Sequence, residues 1–138
     1  MLSAVYRRWG IFVLTVVAVA VADWSATGIK ALVDRARPPV RYPEPKALVP
    51  VPHDHSFPSG HAATSFAAAT ILTFAFPRLA PAWLVLAAAI ACSRVYVGVH
   101  YPLDVIAGAA LGVLVAVVLQ SLLLLRRGAL RSREGAGS

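Results

Sequence analysis

A chain of 138 residues has room for one small domain, and with 59% hydrophobic and only 14% charged side chains it is too apolar for an ordinary water-soluble one. A formal net charge of +7 on so apolar a chain points to anionic partners, lipid headgroups or phosphates, and the lack of a basic stripe interleaved with aromatics argues against nucleic acid. The single cysteine, Cys92, excludes an internal disulfide and reads as a small buried residue.

Trp9 to Ile29 is apolar apart from Thr15, Asp23, Ser25 and Thr27. About twenty residues rising about 1.5 Å each cross a hydrocarbon core about 30 Å thick, so this run predicts a spanning helix over 9–29. Arg7 and Arg8 precede it as they would in a signal peptide. No small-residue cleavage site followed by a polar start ends the run, and it is read as a retained helix. Asp23 has two readings: it orients Lys30 or an arginine from roughly the same helix face, or its carboxylate reaches interfacial water. Residues 37–58 hold Pro38, Pro39, Pro43, Pro45, Pro50, Pro52 and Pro58, which exclude a regular helix and predict a loop. His53-Asp54-His55 has metal-ligating residue types, but alternate residues of an extended segment point opposite ways, so no metal site is assigned.

A second helix is predicted over 59–76, with Ser59 as N-cap behind Pro58. A third follows over 82–99, after the turn Pro77-Arg78-Leu79-Ala80-Pro81. A fourth runs over 104–125, where Gly108 and Gly112 have the spacing that lets two helices touch. Residues 126–138 read as a basic, disordered tail. Residues 1–138 are thus predicted as a single all-α domain, a polytopic membrane helix bundle with four spanning helices.

The arginines orient it. Arg7, Arg8, Arg78, Arg126, Arg127, Arg131 and Arg133 fall on one side, which the positive-inside rule makes cytoplasmic. The long loop and His100 then lie on the extracytoplasmic side with Lys30, Arg35, Arg37, Arg41, Lys46 and Arg94, against that rule. Cations placed against the bias suggest a purpose. For Arg41 and Lys46 a solvated loop anchored to anionic lipid suffices. Lys30, Arg37 and Arg94 coincide with polar motifs.

His100-Tyr101-Pro102-Leu103-Asp104 separates histidine and aspartate by four residues, which puts them on one face of a helix or of its first turn. An aspartate accepting one ring proton leaves the other nitrogen as a free lone pair, as a nucleophile requires. Ser59 and Gly60 open a helix whose unpaired N–H groups favour an anion, and His61 sits in that first turn. Two histidines and three cations suggest phosphoryl transfer: His100 attacks phosphorus, His61 protonates the leaving oxygen, and water cleaves the phosphohistidine.

Lys30 six residues before Arg37-Pro38, then Pro58-Ser59-Gly60-His61, then Ser93-Arg94 five residues before His100 and three more before Asp104, resembles the tripartite signature of the type 2 phosphatidic acid phosphatase family. The resemblance runs from about Lys30 to Gly112. It implies a membrane lipid phosphatase independent of Mg²⁺ and of any cofactor, multi-pass in the cell membrane, with its site facing away from the cytoplasm. It implies His100 as nucleophile, Asp104 as its partner and His61 as general acid. Lys30, Arg37, Ser59, Gly60 and Arg94, with Ser93 beside them, would hold phosphate. Implied substrates are phosphatidic acid, phosphatidylglycerol phosphate and polyprenyl pyrophosphates. Family members usually carry six spanning helices with the lysine motif after the third; here it follows the first. The first two helices of that core are therefore expected to be lacking, through an internal start at Met1 or in a minimal form that a second copy completes as a homo-oligomer.

Two other classes compete. A serine hydrolase built on Ser59 lacks a Gly-x-Ser-x-Gly elbow and leaves the cations unexplained. A truncated, non-catalytic lipid-binding membrane protein is distinguished by binding anionic lipid without turnover.

Overall fold

The computed structural model describes residues 2–44 and 46–135, with side chains for residues 8–44 and 46–129. Among these residues every regular element is helical. Helix α1, Leu2–Val33, has 32 residues and exceeds the predicted 9–29 at both ends. It stops where Asp34 turns left-handed at φ 50°, with the Asp34 N–H still donating to the Lys30 carbonyl at 3.2 Å. The left-handed region tolerates aspartate better than a branched residue such as Val33.

Helix α2, Pro38–Arg41, is one turn inside the predicted loop. Its prolines occupy the first positions, where a missing N–H costs nothing, so the proline content and the short helix are compatible. Helix α3, Gly60–Ala75, starts behind Ser59, whose hydroxyl accepts from the Ala62 N–H at 3.5 Å. A 3₁₀ turn, Pro77–Leu79, leads into α4, Ala80–Tyr96. The predicted 82–99 overshoots because Gly98, at φ 79°, turns the chain before His100. Helix α5 is Pro102–Gly135. The predicted disordered tail is helical through Gly135, and residues 136–138 lie outside the described ones. Arginine, alanine and leucine after Leu125 are strong helix formers, so charge alone was a poor sign of disorder.

Helix α3 packs against α1, α4 and α5 and is the centre of the bundle. Its contacts are made by small residues. Ala18, Ala22 and Ala26 of α1 meet Ala63, Ala67 and Ile71 of α3 and Ala116 of α5. In a membrane the solvent outside is as apolar as the core, so close packing replaces the hydrophobic drive. Gly108 and Gly112 of α5 allow the closest approach: a Cβ at 108 would stand 2.3 Å from the Ser59 carbonyl oxygen, and one at 112 only 2.1 Å from that of Ala63. Gly108→Ala is therefore expected to push the start of α3 off α5, at a cost of about 1–3 kcal/mol or more. Thermal unfolding in detergent micelles checks this, with a lowered midpoint expected and an unchanged one contradicting the packing.

Large apolar side chains face outward instead. Trp9, Phe12, Trp24, Val85, Ile106 and Leu114 are all exposed. Three helical stretches, Arg8–Arg41, Pro77–Tyr96 and Pro102–Ala129, are long and apolar enough to cross a membrane. Helix α3, with 16 residues, is the shortest of the four predicted spans and extends about 24 Å. Cys92, expected to be buried, is exposed on α4. An apolar run around a cysteine marks a membrane helix without saying which of its faces looks inward.

Candidate active site

At one end of the bundle the helix termini and the proline-rich loop enclose a cavity of about 560 Å³. Helix α1 contributes Asp23, Thr27 and Lys30. The loop contributes Arg37 and Asp54, α3 contributes Gly60, His61 and Thr64, and Arg94 and His100 close the far wall. Lys30, Arg37, Gly60, His61, Arg94 and His100, all singled out from sequence, therefore share one cavity.

Arg37 is the best-anchored cation, with 3% of its surface exposed. Its Nε donates to the Asp54 carbonyl at 2.9 Å and its Nη2 to Asp54 Oδ1 at 2.6 Å. Its Nη1 donates to the Val99 carbonyl at 2.9 Å and lies 3.1 Å from His100 Nε2. A guanidinium only donates, so Nε2 is the acceptor and the neutral ring carries its proton on Nδ1. Lys30 also pairs with the Asp54 carboxylate, so one loop carboxylate bridges two cations. Burial alone would raise the Asp54 pKa. The hydrogen bonds and charges of Lys30 and Arg37 outweigh that and bring it down to about 2.

His100 is 5% exposed. Its Nδ1 lies 3.6 Å from Asp104 Oδ2, within ion-pair reach but too far for a hydrogen bond, and has no hydrogen-bond partner in the described structure. Burial, reinforced by the Arg37 charge, lowers the His100 pKa to about 4 against the opposing pull of Asp104. The ring is therefore neutral near pH 7 and keeps a lone pair on Nε2.

Asp104 is fully buried behind His100 and does not line the cavity. It accepts from Arg35 Nη1 at 2.7 Å, from the Tyr101 N–H at 2.9 Å and from the Ser56 hydroxyl. Its own carbonyl accepts from the Ser59 N–H at 2.9 Å. Ser59 is likewise fully buried and absent from the cavity lining; its hydroxyl caps α3. Its neighbour Gly60 offers the start of α3 to the cavity. Arg94 is steadied by Ser93, whose hydroxyl accepts from Arg94 Nε at 3.1 Å and donates to the Ile90 carbonyl at 2.7 Å.

Asp23 lines the cavity, but Lys30 pairs with Asp54 rather than with it. The His53-Asp54-His55 side chains diverge: Asp54 turns to the cations, while His55 Nδ1 meets Asp34 at 2.9 Å. Among the described residues no three His, Cys, Asp or Glu side chains converge as metal ligands. Sequence reasoning assigned no role to Asp54 or Ser56 and treated Arg35 only as one more cation. The available signal was position: a carboxylate five residues before Ser59 in a loop facing an excess of cations.

The arrangement can hold a tetrahedral oxyanion among Lys30, Arg37, Arg94 and the N–H groups that open α3, with one imidazole from α3 and one from the α4–α5 turn beside it. A profile described as the PAP2 superfamily matches residues 11–127. The bacitracin transport permease protein BcrC of Bacillus licheniformis is 37% identical over 105 residues, which cover 76% of this chain and 52% of that one. Decaprenylphosphoryl-5-phosphoribose phosphatase of Mycobacterium tuberculosis is 42% identical over 101 residues, covering 73% of this chain and 55% of that one. The structure of a transmembrane PAP2-type phosphatidylglycerolphosphate phosphatase from Bacillus subtilis superimposes with a TM-score of 0.64 at 26% identity, over 86% of this chain and 65% of that one. The chain spans about half the length of the curated relatives it matches.

Proposed function

The chain belongs to the PAP2 superfamily, and on that premise we propose that it is an integral membrane phosphatase acting on the phosphate monoester or pyrophosphate of a lipid. The observation that carries this is the convergence of Lys30, Arg37, Arg94, His61 and His100 on one cavity at the end of an apolar bundle. A phosphate held by the three cations would displace Arg37 from His100 Nε2, leaving that lone pair to attack phosphorus. The P–N bond forms as the P–O bond to the lipid breaks, and His61 gives its proton to the departing oxygen. Water then attacks the phosphohistidine, His61 takes its proton, and His100 and inorganic phosphate are released. The cations balance charge on the equatorial oxygens, so the reaction needs no divalent ion.

The substrates this reading favours are polyprenyl and glycerolipid phosphates. Among the matching proteins, one phosphatase is named for decaprenylphosphoryl-5-phosphoribose and another for phosphatidylglycerolphosphate. We place residues 1–138 as one catalytic domain with four helices crossing the membrane and the cavity on the extracytoplasmic side, a reading supported by the arginines at the opposite ends of the helices. The test is phosphate release from phosphatidic acid, phosphatidylglycerol phosphate and a polyprenyl pyrophosphate in mixed micelles with excess chelator. Release from at least one of them, sensitive to vanadate, is expected. Binding of all three without turnover would return the chain to the lipid-binding class.

A further inference from the structure

Of the three cations between Lys30 and Pro38, Arg35 alone does not line the phosphate cavity. Its Nη1 reaches backward, 2.7 Å from Asp104 Oδ1. Its guanidinium lies 4.3 Å from the centre of the Tyr101 ring, which fixes its plane. The Arg35 carbonyl accepts from the Ser56 N–H at 2.8 Å, and the Ser56 hydroxyl in turn donates to Asp104 Oδ2. Arg35 and Ser56 thus hold each other and take one carboxylate oxygen each.

A fully buried carboxylate is costly unless it is paired and hydrogen-bonded. Asp104 faces His100 Nδ1 at 3.6 Å through Oδ2, the oxygen that the Ser56 hydroxyl and the Tyr101 N–H also hold. Nothing but Arg35 holds Oδ1 by a hydrogen bond in the described structure, so Arg35 completes the set of contacts that fixes the rotation of the carboxylate about its Cβ–Cγ bond.

We propose that Arg35 is a positioning residue of the reaction: clamped by Tyr101 and Ser56, it fixes the buried Asp104 carboxylate so that Oδ2 stays aligned with His100 Nδ1. This rests on the reading of His100 as nucleophile. It gives the first motif two tasks, with Lys30 and Arg37 serving the substrate and Arg35 serving the partner of the nucleophile. Without Arg35, Oδ1 is left unpaired and the buried carboxylate is held through Oδ2 alone, free to tilt away from its alignment with the ring. The His100 ring then loses the group that stabilises the positive charge it acquires on attack.

The experiment compares Arg35→Met, Arg35→Lys and, as a control, Arg41→Met, at the exposed last residue of α2. Turnover of short-chain phosphatidic acid in mixed micelles is measured for the full chain. In Arg35→Met, kcat is expected to fall roughly ten- to a hundredfold with KM within about twofold, the size typical of an outer partner to a reacting group. Arg35→Lys should recover part of that loss, and Arg41→Met should leave kcat unchanged. A higher KM at constant kcat would make Arg35 a phosphate ligand and overturn the proposal, as would an unchanged kcat. A second readout does not depend on turnover: the ring shifts of ¹⁵N-labelled His100. These should move in Arg35→Met and in Arg35→Lys, so a poorly folding Met variant still leaves one to read, and should stay put in Arg41→Met. Should the wild-type chain hydrolyse no lipid phosphate, the functional reading fails while these shifts still decide whether Arg35 orients the Asp104–His100 pair. Wild-type shifts in both Arg35 variants would overturn it.

Discussion

His100→Ala is expected to lose the proposed lipid phosphate turnover by on the order of a thousandfold or more, because the proposed covalent route disappears and only binding and charge stabilisation remain. Acid quenching of the wild-type reaction with labelled substrate should trap phosphate on the protein through an acid-labile bond, and the variant should trap none. Undiminished turnover in His100→Ala contradicts the proposed route. The pH behaviour of the same ring has a definite sign. Its folded pKa, about 4, lies below the ordinary histidine value. The ring therefore stays neutral and nucleophilic until the pH falls through about 4. The linked stability runs the same way: it is fully present above the unfolded value near 6.5 and is lost as the pH drops through about 4. A titration of ¹⁵N-histidine followed by NMR should show one of the four rings resisting protonation down to that range. A His100 midpoint near 6.5 would contradict the burial and the Arg37 contact that lower it.

Arg37→Ala carries the second large effect. The side chain lines the cavity and ties three of its wall residues together, donating to Asp54 twice, to the Val99 carbonyl and to His100 Nε2. Removing it takes away the proposed phosphate contact and leaves the Asp54 carboxylate with only Lys30 beside it. A loss of roughly 10²- to 10³-fold in kcat/KM is expected, as for other preorganised donors to a reacting oxyanion. The fold weakens too, by about 1–3 kcal/mol, because the Val99 carbonyl loses its partner in a buried place. Arg37→Lys should recover little, since an ammonium cannot span Asp54, Val99 and His100 from one plane. Turnover and thermal unfolding of both variants check the two parts separately, and a lysine variant with near wild-type activity would contradict the forked role.

The four long helices were legible because each is an apolar run bounded by charged residues, proline, glycine or a cap residue. The Gly108–Gly112 contact was legible because small residues one turn apart have few other uses in an apolar helix. The motif residues that face the cavity were legible because cations and histidines in an apolar chain have little structural reason to be there. Arg35, Asp54 and Ser56 were not. Their roles depend on how a proline-rich loop folds back over the end of α1, and no periodicity records that path. Ser59 shows the opposite limit. Its type and place, ahead of α3, were read correctly as a cap, while the resemblance gave it a phosphate-holding role and it is not among the residues that line the cavity. Helix ends drifted where a single backbone angle decided them, at Asp34 and Gly98. Cys92 and the 126–135 segment show that composition alone tells neither which face a residue takes nor where a helix frays.

The contact of Ser59 with the first turns of α5 has a consequence for how such a protein diversifies. The start of α3, which carries His61, is fastened to the start of α5 by main chain against main chain: the Ser59 N–H on the Asp104 carbonyl, and the Ser59 carbonyl against Gly108. None of those atoms belongs to a side chain that meets lipid. The outward residues can therefore be exchanged freely, adapting the hull to new hydrocarbon tails or bilayers, while the chemical head keeps its gauge.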